Sequence, residues 1–411
     1  MSSSDPIFDV VIAGGGMVGA SLACALEQLP LRVAVIEPYP FDSAAQPSFD
    51  LRTTALSRSS QRILSGLGVW NDVADAAAPI RSIHVSEQGR FGTAVIDARE
   101  QRIESLGYVL ENRRLGRALW QRMGAADRLS LLSPAQAEGV QAGQDAIHLE
   151  VIDGDDRREL RARLLVVADG ARSRLRDALG IRARQRPYHQ TAIVGTVQFG
   201  DRGDGDTAYE RFTPDGPMAI LPAGTDRHVF VLTRHSDRAG AIIDLPDADF
   251  TDLLQRTFGY RLGRVLRIGK RAAYPLSLTA SEQLTAPRAV IIGNAAHGLH
   301  PVAGQGYNLG LRDAASLAEC LADALRDGPA DAGDAAVLRR FADWRRSDQE
   351  KVVAFTDGLV RLFDLQQPGL GLARGLGLAA FDVLPGAKRA LARQTMGLGG
   401  RLTRLARGLP L

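Results

Sequence analysis

Apolar and polar positions along this chain follow two periods, and the places where one gives way to the other mark its organisation. Four short runs, Phe8–Ala13, Leu31–Ile36, Leu164–Ala168 and Ala289–Ile292, are almost wholly apolar, as strands buried on both faces are. The first, third and fourth end in glycine-bearing turns and pass into helices: Val18 to Leu29, a helix after Asp169-Gly170, and Asn308 to Leu325. Between them, Asp50–Ser57 leads into an amphipathic helix ending at Leu67. Ile80–Ala98 alternates around Gln88-Gly89-Arg90 as a hairpin, and a helix is predicted over Arg113–Met123. Ala135–Leu164 reads as a three-stranded ribbon with turns at Gly143 and Gly154. From Thr191 to Tyr274 the period is two, with strands at Thr191–Phe199, Ala208–Phe212, Met218–Leu221, Val229–Arg234 and Arg264–Ala272 around one helix, Asp247–Thr257. A long helix, Ala335–Leu362, and a Leu/Ala/Gly tail, Gly369–Leu411, close the chain; Ala387–Leu405 is predicted helical with a break near Gly397–Gly400.

Composition narrows the classes. A net charge of +3 over 411 residues does not argue for nucleic acid. The two cysteines, Cys24 and Cys320, fall in helical patterns as small core residues, so neither a disulfide framework nor a cysteine zinc site is expected, and a reducing cytoplasm is the default. No signal peptide and no membrane-spanning run of 18 apolar residues is expected. The charge is uneven: from Arg361 to Leu411 eight basic residues face Asp364 and Asp382, which is +6 and leaves −3 for the rest. Such a tail packs as a solvated terminal helix pair, or adheres to an anionic membrane or a partner subunit.

Candidate chemistry sits at the glycine turns. Gly14-Gly15-Gly16-Met17-Val18-Gly19 is G-x-G-x-x-G between a strand and a helix, and Glu37 ends the next strand 18 residues after Gly19. This is the dinucleotide fingerprint in context: a tight turn, close backbone approach, a helix N-terminus for the pyrophosphate and an acid for ribose hydroxyls. The acid disfavours a 2′-phosphate, so FAD or NAD is expected rather than NADP. Arg52, just before a helix, is either a solvated arginine or a pyrophosphate contact. Asp169 stands at the carboxyl end of a buried strand, where α/β sheets bind ligands. Gly304, Gly306 and Gly310 crowd the turn before the last major helix, as if to lay N–H groups against a flat or anionic ligand. His84 reads as a structural strand histidine. No metal site, Ser-His-Asp order, HExxH, Walker A motif or second GxGxxG is present. The fold class predicted is α/β: a Rossmann-like domain in three pieces (1–78, 108–180 and 281–340), an inserted antiparallel-sheet substrate domain (79–107 and 181–280) and a helical C-terminal region (341–411).

GGGMVG with Glu37, Asp169-Gly170 and Gly293-Asn-Ala-Ala-His-Gly-Leu-His-Pro-Val-Ala-Gly-Gln-Gly-Tyr-Asn-Leu-Gly-Leu-Arg-Asp313 together resemble the single-component flavoprotein aromatic hydroxylases of the para-hydroxybenzoate hydroxylase type, over about residues 7–350. Within that group Arg52-Thr-Thr-Ala-Leu-Ser57, Gly68-Val-Trp70, Tyr108-Val-Leu-Glu-Asn112 and His300–Gly310 are similar to the ubiquinone-biosynthesis hydroxylases. Asn294 stands where relatives usually carry Asp, a form similar to the member acting on 2-polyprenyl-6-methoxyphenol. The resemblance implies FAD, with Gly14, Gly16, Met17, Val18 and Gly19 at the pyrophosphate, Glu37 at the adenosine ribose and Arg52 at the phosphates. It implies Asn112 near the flavin or ribityl chain, Asp169 near the cofactor's middle, and Asn294 in the ribityl or pyrophosphate region. Gly304, Gln305, Gly306 and Asn308 would then meet the flavin's pyrimidine edge. It further implies reduction by NAD(P)H, bound transiently or replaced by a partner, and oxygen transfer through a flavin 4a-hydroperoxide to a polyprenylated phenol. Tyr209, Met218, His300 and Pro301 are pocket candidates, and no side chain declares itself as the phenol's base. A lipid substrate gives the tail a reason to sit on the inner membrane face or in a biosynthetic complex. Competing readings are a sibling hydroxylase acting at another ring position, a flavin-dependent polyprenyl reductase, and a non-catalytic binder of prenylated protein.

Overall fold

The computed structural model describes residues 7–43, 46–50, 52–201, 203, 205–224, 226–328, 331–364 and 370–411; Leu51 and Gly369, within segments named above, lie outside them. The chain runs β1 (Phe8–Ala13), α1 (Met17–Leu26), β2 (Val33–Ile36), β3 (Thr53–Ser57), α2 (Arg58–Gly66), β4 (Ala78–Ile80), β5 (Ser82–Glu87), β6 (Thr93–Asp97), β7 (Gly107–Glu111) and α3 (Asn112–Gly124). It continues β8 (Leu129–Leu132), β9 (Gln136–Ala142), β10 (Ile147–Asp153), β11 (Asp156–Val167), α4 (Arg174–Ala178), β12 (Ala183–Phe199), β13 (Thr207–Phe212), β14 (Met218–Pro222), β15 (His228–His235), α5 (Ser236–Ile243) and α6 (Asp247–Phe258). It ends β16 (Val265–Ser281), β17 (Thr285–Ala286), β18 (Ala289–Ile291), β19 (His297–Gly298), α7 (Gln305–Arg326), α8 (Ala335–Asp364), α9 (Leu370–Asp382) and α10 (Pro385–Thr395).

The four apolar runs lie together. β18, β11, β1 and β2 are parallel neighbours, with Val167 in register with both Ala13 and Ile291. Three glycine turns therefore leave one edge of the sheet side by side. α1 is apolar all round because it is buried all round, and its Gly, Ala and Cys residues let α7 pack close. The cysteines are core residues as expected, burial pushing their thiols up to about 12 for Cys24 and about 11 for Cys320.

The second sheet, β19-β16-β12-β15-β14-β13-β5-β6, carries α5 and α6 over a core built from Phe199, Ile220, Phe230, Phe250 and Phe258. It is mixed rather than antiparallel, because β5 and β13 run parallel with His84 opposite Tyr209. β12 and β16 each run 17 residues, well beyond the alternating segments, because their polar halves extend out of this core as a ribbon. The helix α5 lies in a segment assigned no element from sequence. β11 joins the ribbon of β9 and β10 to the central sheet without a break. A third small sheet, β3-β7-β4, sits between the two large ones.

Candidate active site

One cavity of about 1430 Å³ runs from the glycine edge of the parallel sheet to the inner face of the second sheet. Its first half is a trough built by backbone. Gly14, at φ +108, lets the chain leave β1 against β11; a Cβ there would lie 2.4 Å from the Ala168 carbonyl oxygen. Gly16 caps α1 and lines the trough with Met17 and Val18, so the free N–H groups of the first turn face it. Gly19 corrects the expectation that it faces the pyrophosphate. It is buried outside the lining, where a Cβ would meet the Gly14 carbonyl oxygen at 1.9 Å, so it serves strand–helix packing.

Glu37 is buried and accepts from Gly15 N–H at 2.7 Å, Tyr39 N–H at 3.1 Å and the Gln46 amide at 3.2 Å. Burial raises its pKa against these three donors. Three bonds leave room on the carboxylate for a ribose hydroxyl. Arg52 and Asn112 are brought together by the β3–β7 ladder, where Asn112 N–H donates to the Arg52 carbonyl at 2.8 Å. The Asn112 side chain is held by Thr54 at 2.7 Å; the Arg52 guanidinium pairs with Asp50 at 2.6 Å over the Tyr274 ring. Asp169 and Asn294 are exposed into the trough from the ends of β11 and β18.

The turn before α7 closes the trough. Ala303 and Gly304 are both left-handed, at φ +59 and +60. A Cβ on Gly304 would press Ala55 at 2.9 Å, whereas one on Gly306 would meet nothing within 4 Å and would point into open groove. Asn308 is fully used inside the protein: its carbonyl accepts from Ser57 N–H at 2.8 Å and Ser60 Oγ at 2.6 Å, and its amide donates to Ala55 and Gly304. It therefore holds the turn, while Gln305, Gly306 and Tyr307 keep the free N–H groups of the helix start. Behind it, buried Asp313 accepts from Arg345 at 2.7 Å, Gln349 at 3.0 Å and His297, tying α7 and α8 to the β18 turn that carries Asn294. Burial alone would raise this carboxyl, but Arg345 and His297 hold it well below the usual range.

The second half is an apolar chamber. Its sheet wall is Ile83, Val85, Ala208, Ala219, Leu221 and Val231; its roof is Phe355, Leu359 and Phe363 of α8, Leu378 and Phe381 of α9, and Leu391 of α10. Met218, expected in the pocket, faces the other way into the outer core with Ile220 and Leu232, because alternate residues of a strand point to opposite faces. Tyr209 borders the cavity, but its ring packs on Phe258 at 5.4 Å and His84 at 5.7 Å. Pro301 lines the chamber floor. His300 also lines it but is locked: Val302 N–H donates to Nδ1 at 3.3 Å, so the proton sits on Nε2 and is donated to Gln190 at 3.1 Å. Burial pushes its pKa down to about 4, so it is neutral. The feature the sequence reading missed is Glu210, the carboxyl on the chamber's sheet wall. Its signal was an acid at every-other-residue spacing with Ala208 and Phe212.

The family described as "FAD binding domain" matches residues 8–356. The chain is 39% identical to the "Ubiquinone hydroxylase UbiL" of Rhodospirillum rubrum over 412 residues, covering 100% of this chain and 95% of that one. It is 34% identical to the "3-demethoxyubiquinol 3-hydroxylase" of Escherichia coli, covering 95% of this chain and 98% of the other. In fold it is similar to the p-nitrophenol 4-monooxygenase PnpA of Pseudomonas putida, at a TM-score of 0.79 and 19% identity over 96% of this chain and 99% of that one.

Proposed function

The chain belongs to the FAD binding domain family and is an FAD-dependent monooxygenase, and from that premise we propose that it hydroxylates the ring of a polyprenylated phenol in ubiquinone biosynthesis, specifically 2-polyprenyl-6-methoxyphenol. The observation that carries the reading is the single cavity: a trough of glycine turns and helix N-termini opens directly into a chamber walled by alkyl and aromatic side chains. The trough fits FAD because the protein itself clears it, as the empty space at the Gly306 Cβ position illustrates. Gly14, Gly16, Met17 and Val18 would hold the pyrophosphate, Glu37 the adenosine ribose, Arg52 and Asn112 the middle with Asp169 and Asn294, and the Gly304–Gly306 turn the flavin edge. Bound there, FAD supplies the redox chemistry that divides dioxygen between ring hydroxyl and water, with NAD(P)H as the transient reductant. The chain's own work is to seat the ring at the turn, bury the tail and keep water out.

The isoprenoid tail is inferred from the chamber's chemistry and the ring position from Asn294. The chamber offers carbon surface to a tail, and the amide removes one negative charge beside a diphosphate. The relatives' names favour hydroxylation over prenyl reduction or prenyl-protein binding. Deleting the gene and identifying the accumulating quinone precursor by mass tests the substrate. The 6-methoxyphenol is expected; any other precursor overturns the specific assignment.

The same reading places α9 against a lipid surface. No single helix among the described residues is long and apolar enough to cross a membrane, but α9 and α10 form an apolar pair bent by 93°. One side of α9 lines the chamber, while Leu372 and Leu376 are 55% exposed and Val383, just beyond it, is 75% exposed. The basic tail supports this less than its charge suggested, since Arg374 pairs with Glu87, Lys388 with Glu100, and Arg404 with Asp323.

A further inference from the structure

We propose that Glu210 is the catalytic group that accepts the phenol proton of the substrate, from its position where the second sheet meets the Pro301–Gln305 turn. The inference rests on the ring-hydroxylase reading above. On β13 the face that carries Ala208 and Phe212 toward the chamber also carries Glu210, in register with Ala219 on one side and Val85 on the other. A carboxyl set among alkyl groups is costly unless it is paired. A structural glutamate in that place would meet a guanidinium or an ammonium. Among the described residues Glu210 instead has no side-chain hydrogen bond or ion pair; the backbone N–H of Ala303 is the one donor whose influence opposes the effect of burial on it. A carboxylate has about four acceptor sites, so most of its capacity is left for a donor that the protein does not provide. A phenol hydroxyl is such a donor.

Ala303, which lines the same cavity, locates the group. Ala303 belongs to the left-handed turn at the head of α7, where the flavin edge is expected, so proton acceptor and oxygen-transfer locus share one corner of the cavity. The other titratable groups around it are already committed. His300 is neutral and bonded through both nitrogens; His84 lies behind the sheet against Tyr209; Arg374 of α9 is paired with Glu87. Burial raises Glu210 to about 8, so its carboxylate forms near neutrality, where a base for a phenol works best.

The phenol O–H bond breaks and the proton passes to the Glu210 carboxylate. The electron pair moves through the ring to the carbon that bonds the electrophilic oxygen; as that C–O bond forms, the O–O bond of dioxygen already reduced by two electrons from the nicotinamide donor breaks, and the second oxygen leaves as water after taking up a proton. The ring then holds a carbonyl and a carbon bearing both H and OH. That carbon loses its proton to water, the ring regains aromaticity, and Glu210 returns the borrowed proton to the carbonyl oxygen.

The test uses the full FAD-loaded chain with 2-prenyl-6-methoxyphenol carrying a single isoprene unit, following hydroxylated product and peroxide across neutral to alkaline pH. Wild type is expected to show a product rate rising about tenfold per pH unit below about 8 and level above it. Glu210→Gln is expected to lose this limb and about a hundredfold in product rate while keeping its flavin colour and diverting turnover to peroxide. Glu210→Asp is expected to keep the limb. A Glu210→Gln variant within about threefold of wild type and with the same pH limb would overturn the proposal. So would a wild-type profile flat through this range, a result that needs no variant to fold. Wild-type chain that binds FAD but hydroxylates no prenylated phenol at any pH sinks the ring-hydroxylase reading, and the proposal with it.

Discussion

Gly19 and Gly306 both belong to the glycine-rich strand–helix turns, yet only one is demanded by the protein. At Gly19 a methyl group collides with the Gly14 carbonyl; at Gly306 it meets no protein atom. Gly306→Ala is therefore expected to leave the fold intact or firmer, by up to about 1 kcal/mol from helix propensity, and to weaken FAD binding about tenfold. Thermal unfolding and flavin titration read the two effects separately; unchanged FAD affinity would place the flavin elsewhere. Asp313 makes the opposite case, a residue that never reaches the cavity and still shapes it. Its folded pKa is depressed, so its contribution to stability is complete above the ordinary carboxylate value of 3.8 and is lost as pH falls through the folded value. Asp313→Asn leaves Arg345 buried against an amide and is expected to cost about 3–5 kcal/mol near neutrality. Urea unfolding should show that gap narrowing in strong acid; a constant gap would mean that Asp313 acts through shape rather than charge.

Among the elements, what the sequence made legible was whatever the backbone itself does. The strand–glycine–helix units around Gly14, Asp169 and Gly304 read correctly because tight turns, buried parallel strands and helix starts each need particular residues locally. The β13–β14 wall did not read, because alternation separates two faces without saying which faces a cavity: Met218 and Glu210 could be told apart only by the helices packed behind Met218. The tail misled for a related reason. Arg374 finds Glu87 across 287 positions, a pairing no local pattern contains. The consequence is a different expectation for membrane contact. Leu372→Ser with Leu376→Ser should cut co-sedimentation with phosphatidylglycerol vesicles at least about tenfold, since each leucine is 55% exposed and leaves about half of the ~1.5–3 kcal/mol of a fully buried side chain for the membrane to bury. Added salt should change binding little. Release by salt with no effect of the serines would return the contact to the arginines.

At the scale of the whole molecule, two sheets of different logic share one space. The parallel sheet delivers backbone donors at its glycine edge, the second sheet delivers a carbon wall with one carboxyl in it, and α8, α9 and α10 roof the junction. On the proposed reading the ring of a lipid phenol would sit at the Ala303–Gly304 turn with its tail among Phe355, Leu359, Phe381 and Leu391, a placement that uses both sheets and all three helices. Oxygen transfer to that ring is the reaction such an arrangement would serve. With purified FAD-loaded chain, nicotinamide reductant and a short prenylated methoxyphenol under ¹⁸O₂, mass spectrometry of the product should show one labelled oxygen on the ring for each dioxygen consumed in coupled turnover. A product that forms without label, or a substrate changed only in its isoprenoid double bonds, would contradict it.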